Sequence, residues 1–131
     1  MTKIRGSELE IKVWRTLGMQ GFWCHIFAKA KDGSQPADII AINHKGAHLI
    51  DAKECKSGRF DFERREDNQI NSMDWLSIRC GGKGWFAVQL GTKIYMLPKS
   101  YIDNLYDQGI RSLSKISDGF LLEVWLNAYQ D

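Results

Sequence analysis

Leu9, Val13 and Leu17 recur every four residues, with Trp14 beside them. Side chains at this spacing share one face of a helix, so the pattern predicts an amphipathic helix over residues 8–18. Ser7 suits its N-cap and Gly18 its stop. Residues 22–28 are aromatic and β-branched and read as a strand. The polar, glycine-containing stretch 29–35 reads as a loop. Strands are expected over 36–42 and 47–54, joined by a hairpin turn at Asn43-His44-Lys45-Gly46. A loop follows at 57–62. Ile70, Met73, Leu76 and Cys80 keep a three-to-four spacing and predict a helix over 64–79, ended by Gly81-Gly82. Residues 85–90 and 93–97 form a second hairpin about Gly91-Thr92, and Pro98 can open a short helix over 99–106. The apolar run 120–125 fits a strand or a helix. The order α-β-β-β-α-β-β-α predicts an α/β fold with a central mixed sheet flanked by helices.

Composition narrows the class. The chain has 131 residues, room for one domain over 1–131. Hydrophobic residues make up 44% and charged residues 26%, which excludes disordered and fibrous classes. No apolar run is long enough for a membrane span. The start runs directly into charged sequence with no signal-peptide core, so a cytoplasmic setting is expected, in a prokaryotic cell or in the host of a phage. Cys24, Cys55 and Cys80 are odd in number and widely spaced, which suits free thiols rather than disulfides or a structural zinc site. The net charge of +2 is unevenly placed. Residues 1–60 carry ten lysines and arginines against six acids, and residues 61–131 carry eight against ten. A basic half with several acids inside it suits an anionic ligand around a charged site.

The first hairpin carries the chemistry. If Ile42 pairs with Ala47 across the turn, Asp38 falls directly opposite Asp51. Asp51 and Lys53, two apart, then share a face with Ile40, Ile42 and Leu49, while Ile39, Ala41 and Ile50 occupy the other. Both faces are apolar, so the hairpin is interior. Opposed like charges are destabilising and buried charge is costly. Lys53 supplies part of the compensation, and a divalent cation with hard oxygen ligands supplies the rest. Two acids, a lysine and a metal form a set suited to phosphodiester hydrolysis. The same spacing also admits a purely structural Asp–Lys ion pair with a second Asp capping the turn.

Pro36-Ala37-Asp38, then twelve residues, then Asp51-Ala52-Lys53 resembles the PD-(D/E)xK nuclease motif. Gly6-Ser7-Glu8-Leu9-Glu10, the loop before Pro36 and Arg64-Arg65-Glu66-Asp67-Asn68-Gln69 are similar to archaeal-type and RecU-type Holliday junction resolvases, over residues 5–97. The absence of room for the large RecU-type insertion favours the archaeal-like branch, including its phage-encoded members. The resemblance implies a single-domain restriction-endonuclease-like fold. It also implies metal-dependent resolution of four-way junctions by paired nicks, with Mg²⁺ as cofactor and Mn²⁺ as a substitute. Residue by residue, it makes Glu10, Asp38 and Asp51 metal-binding carboxylates, with Glu8 competing for the first role. Lys53 becomes the catalytic lysine, and Gln69 faces the site from its helix. Asp51 stands where these resolvases more often have Glu, one methylene longer.

Lys3, Arg5, Lys29, Lys31, Lys56, Arg59, Arg64 and Arg65 cluster around this segment and are candidate phosphate contacts, with Ser34 as a loop contact. No base-reading motif is present, so backbone recognition of branched DNA fits best. Two matched cuts in a nearly two-fold junction call for a two-fold homodimer, with Trp75, Trp85 and Phe86 as candidate interface residues. Two other readings share these features: a restriction or repair nuclease of the same superfamily, and a DNA-binding module without catalysis.

Overall fold

The computed structural model describes residues 7–131, so Lys3 and Arg5 lie outside the described residues. The first helix, α1, spans Glu8–Met19. The Ser7 hydroxyl caps it by accepting from the Glu10 amide at 3.1 Å, and Leu9, Val13 and Leu17 form its buried stripe. The helix runs through Gly18 and one residue beyond.

Five strands form the main sheet: β1 (Trp23–Ile26), β2 (Ile39–Asn43), β3 (Gly46–Glu54), β5 (Lys83–Leu90) and β6 (Lys93–Pro98), in the spatial order β1-β2-β3-β5-β6. The β3–β5 pair is parallel and every other pair in this sheet is antiparallel. A parallel pair needs a long crossover, and here it runs through helix α2 (Asp67–Cys80). Ile42 pairs with Ala47 as the hairpin count requires, and the ladder extends one pair further, to Asn43 and Gly46.

Each sheet face has its own core. Ile39, Ala41, Ile50, Trp85, Ala87, Ile94 and Met96 pack against α1 and the C-terminal helix α4 (Leu122–Tyr129). Leu49, Phe86, Val88, Tyr95 and Leu97 pack on the other side with residues of α2 and of α3 (Lys99–Asp107). This is the face division expected from strand alternation. The run 120–125 resolves into a short 3₁₀ turn (Asp118–Phe120) followed by α4. The helix expected over 64–79 starts later, because residues 62–64 form a separate 3₁₀ turn.

One pairing was not legible in the pattern. Strand β4 (Phe60–Asp61) joins β7 (Ser112–Leu113) in a small antiparallel ribbon, which ties the end of the chain to the loop after β3. Among the described residues no helix is long and apolar enough to cross a membrane.

Helix α2 lies very close to the sheet. A Cβ at Gly84 would stand 2.5 Å from the Met73 Cβ and Cγ, far inside contact distance. Gly81, at φ +68°, takes the left-handed conformation that closes the helix.

Candidate active site

Asp38 lies just before β2 and Asp51 in the middle of β3, with Lys53 two residues on. All three are buried, at 3%, 1% and 8% exposure. The β2–β3 ladder ends at the Ile39–Ile50 pair. Beyond it the Ala52 amide has no strand partner on that side, and Asp38 Oδ2 accepts from it at 2.8 Å. A side-chain carboxylate thus takes the place of the next rung. The Asp38 amide donates to the Ile50 carbonyl at 3.1 Å, which holds the acid against β3.

Asp51 is gripped from two sides. Lys53 Nζ lies 3.2 Å from its Oδ2. The Gln69 carboxamide, oriented so that its nitrogen faces the acid, donates to Oδ2 at 2.8 Å and to Oδ1 at 3.1 Å. Gln69 is 1% exposed on the first turn of α2.

The two aspartates titrate as a unit. Burial pushes Asp51 up to about 8, its hydrogen bond with Asp38 adds to this, and the Lys53 charge opposes it. Burial also pushes Asp38 upward, but hydrogen bonds from Asp51, Lys29 and the Ala52 amide outweigh it and hold Asp38 below the usual carboxylate range. Without a bound cation, the pair as a whole therefore keeps a proton to higher pH than free carboxylates do.

Glu10 reaches the cluster from the first turn of α1 and is 4% exposed, whereas Glu8 is exposed to solvent. Of the two helix acids, Glu10 is the one in the site. Lys29 Nζ bridges Glu10 Oε1 at 3.0 Å and Asp38 Oδ1 at 2.5 Å. Sequence reasoning grouped Lys29 with the phosphate contacts; the structure brings it into the acid cluster. Nothing in the spacing could have shown this, because the path of a 12-residue polar connection between β1 and β2 is not fixed by periodicity.

The remaining candidates divide. Lys31, Ser34, Lys56, Arg59 and Arg64 are exposed. Arg59 pairs with Asp61 at 2.9 Å, and Arg64 Nη1 donates to the Glu54 carbonyl at 2.9 Å. Arg65 is different: its side chain is 9% exposed, paired with Asp103 at 3.2 Å and stacked over the rings of Phe62 and Tyr106. Trp85 and Phe86 belong to the core, while Trp75 is 57% exposed.

The donor chemistry suits a hard divalent cation. Carboxylate oxygens are its preferred ligands, and Glu10 Oε2 is buried with no hydrogen-bond partner among the described residues. Among the described residues, however, no three His, Cys, Asp or Glu side chains form a ready-made ligand group, and Lys29 lies between two of the acids.

No protein-family model matches the chain, and no curated protein matches it. Among solved structures it is similar to the 1.6 Å structure of Hjc from Archaeoglobus fulgidus, a Holliday junction resolvase from an archaeal hyperthermophile. The match has a TM-score of 0.58 and 19% identity, covering 72% of this chain and 76% of that one. The fold is restriction-endonuclease-like. At this identity the likeness is one of architecture alone.

Proposed function

We propose that this protein is a metal-dependent endodeoxyribonuclease that resolves four-way DNA junctions by paired nicks. The observation that carries the reading is the convergence of Glu10, Asp38, Asp51, Lys53 and Gln69, drawn from two helices and one hairpin, on a fold shared with a resolvase.

Glu10, Asp38 and Asp51 are the residues that would hold Mg²⁺, or Mn²⁺ in its place. When bound, such an ion polarises the scissile phosphate and makes its water a better nucleophile. The protein's own groups then have distinct tasks. Gln69 fixes both oxygens of Asp51, so the carboxylate presents one orientation. Lys53, held by Asp51, places an ammonium beside the reacting phosphate, where it orients the attacking water and offsets the charge that builds on phosphorus. Lys31, Lys56 and Arg59 hold the DNA backbone at the rim, with Arg64 and Ser34 beside them. A two-fold homodimer supplies the second cut, and the exposed Trp75 and Ile78 on α2 are its candidate contact.

The test is a labelled four-way junction incubated with the protein and Mg²⁺, beside a linear duplex of the same sequence. Paired symmetric nicks, lost in Asp38→Asn and Lys53→Ala, are expected. Cutting of the linear duplex at a fixed sequence would assign the chain to another branch of these nucleases. Junction binding by folded protein with no metal-dependent cleavage would leave a DNA-binding module.

A further inference from the structure

Glu10 and Asp38 are almost closed to solvent, with side chains 6% and 4% exposed, while Lys29 is 53% exposed and reaches in from outside. Two buried carboxylates facing one point require a cation there. Lys29 is that cation. Its loop is held in place by three further contacts. The Phe27 amide donates to the Asp38 carbonyl, the Ala30 amide donates to Gln35 Oε1, and Asn68 Nδ2 donates to the Gly33 and Gln35 carbonyls.

Lys29 takes one oxygen of each acid, Glu10 Oε1 and Asp38 Oδ1, and so stands between the two carboxylates. Of the other two oxygens, Asp38 Oδ2 already accepts from the Ala52 amide and Glu10 Oε2 has no partner among the described residues. A divalent ion shared by Glu10 and Asp38 therefore meets the ammonium at the same point. Coulomb repulsion forbids both from remaining there.

We propose that Lys29 is the resident counter-cation of the Glu10–Asp38 pair, that a divalent metal must displace it to bind, and that the freed ammonium then turns outward to a DNA phosphate. This rests on the reading of the site as a metal-dependent nuclease and adds a regulation to it: Lys29 sets the metal concentration at which the site loads. Lys29 is in this sense a positioning residue.

The experiment is titration of the whole protein with magnesium chloride, read by calorimetry and by thermal melting, for wild type, Lys29→Met, Lys29→Gln and Lys29→Arg. Without metal, the Met and Gln variants should melt roughly 3–6 °C lower, having lost the counter-charge. They should bind Mg²⁺ about tenfold more tightly, the lower end expected for removing a cation beside carboxylates. Their metal-induced rise in melting temperature should exceed that of wild type, and Lys29→Arg should behave like wild type. Equal or weaker Mg²⁺ binding in both the Met and Gln variants would overturn the proposal, even if the protein cleaves junctions. So would the absence of any magnesium effect in every variant. Tighter binding without cleavage of any DNA would support the exchange and sink the nuclease reading instead.

Discussion

Strand β3 buries His48 and Asp51, three residues apart, on opposite faces of the sheet. His48 lies in an aromatic nest of Phe22, Trp85, Trp125 and Tyr129, at 2% exposure. Its Nδ1 accepts from the Trp85 indole at 2.9 Å, while His48 Nε2 and Trp125 Nε1 find no partner among the described residues. Asp51 lies among Lys53, Gln69 and Asp38. Burial suppresses charge at both places, lowering His48 to about 4, with Lys83 adding to the effect, and raising Asp51 to about 8. What differs is the surroundings. The nest gives His48 a neutral donor and no anion, so its neutral form is final. The polar cluster gives Asp51 donors that favour the anion once a cation arrives. Burial beside a neutral donor leaves His48 without countercharge, and burial beside Lys53 and Gln69 leaves Asp51 a carboxyl that an added cation can still ionise.

The largest break in this comparison is catalytic. Lys53→Ala and Asp38→Asn should each reduce junction cleavage by roughly 10²–10⁴-fold, the range typical of a positioned proton-transfer group, with unchanged circular dichroism. His48→Gln should leave cleavage nearly intact, because it retains an acceptor for Trp85 and lies on the opposite face.

Stability against pH separates the two groups by sign. His48 binds its proton less readily folded than unfolded, so stability is lost as pH falls from 6.5 towards 4. A shift of this size is worth about 3 kcal/mol. Asp51 does the reverse: its folded form holds the proton more tightly, so stability falls as pH rises from 3.8 towards 8. Between pH 4 and 6.5 the two slopes oppose each other, so denaturant unfolding should show stability falling with rising pH in His48→Gln and rising with pH in Asp51→Asn, with the alkaline limb between 6.5 and 8 lost only in Asp51→Asn. Unchanged limbs would show that neither group controls them.

A smaller effect isolates the role of Asp38 as the last rung. Asp38→Ala leaves the Ala52 amide without an acceptor, while Asp38→Asn retains an oxygen for it. The alanine variant should be less stable by about 1–3 kcal/mol, measured by urea unfolding of the metal-free proteins. Smallest are the rim contacts. Lys56→Ala or Arg59→Ala should weaken junction binding without sequence bias and reduce the salt slope by about one each.

Much of this site could be read before the fold was known, and for identifiable reasons. A short hairpin fixes its own register, so counting from the turn placed Asp38 opposite Asp51 and set Lys53 on the face of Asp51. Glu10 and Gln69 came instead from the resemblance to junction resolvases, and both lie on the first turns of their helices. The parts that escaped depend on geometry with no period. Lys29 sits in a loop whose path follows from hydrogen bonds to α2. The β4–β7 ribbon joins segments about fifty residues apart and two residues long, too short to leave an alternating pattern. Residues 120–125 are apolar enough for either element, and packing against the sheet decides for helix from Leu122 onward. The aromatic nest gave no signal at all, since a lone histidine in a strand looks the same whether wet or dry.

Gly84 gives the molecule an adjustment screw far from any reacting atom. It sits beside Leu49 across the parallel pair, two rungs from where Phe86 faces Asp51. Met73, the residue that fills its missing side chain, is one helical turn beyond Gln69. The depth to which α2 sinks at Gly84 therefore sets how far the Gln69 amide reaches towards Asp51. A single methyl there acts as a shim under the middle of a rigid rod, and the turn just before it carries the hand that holds the acid.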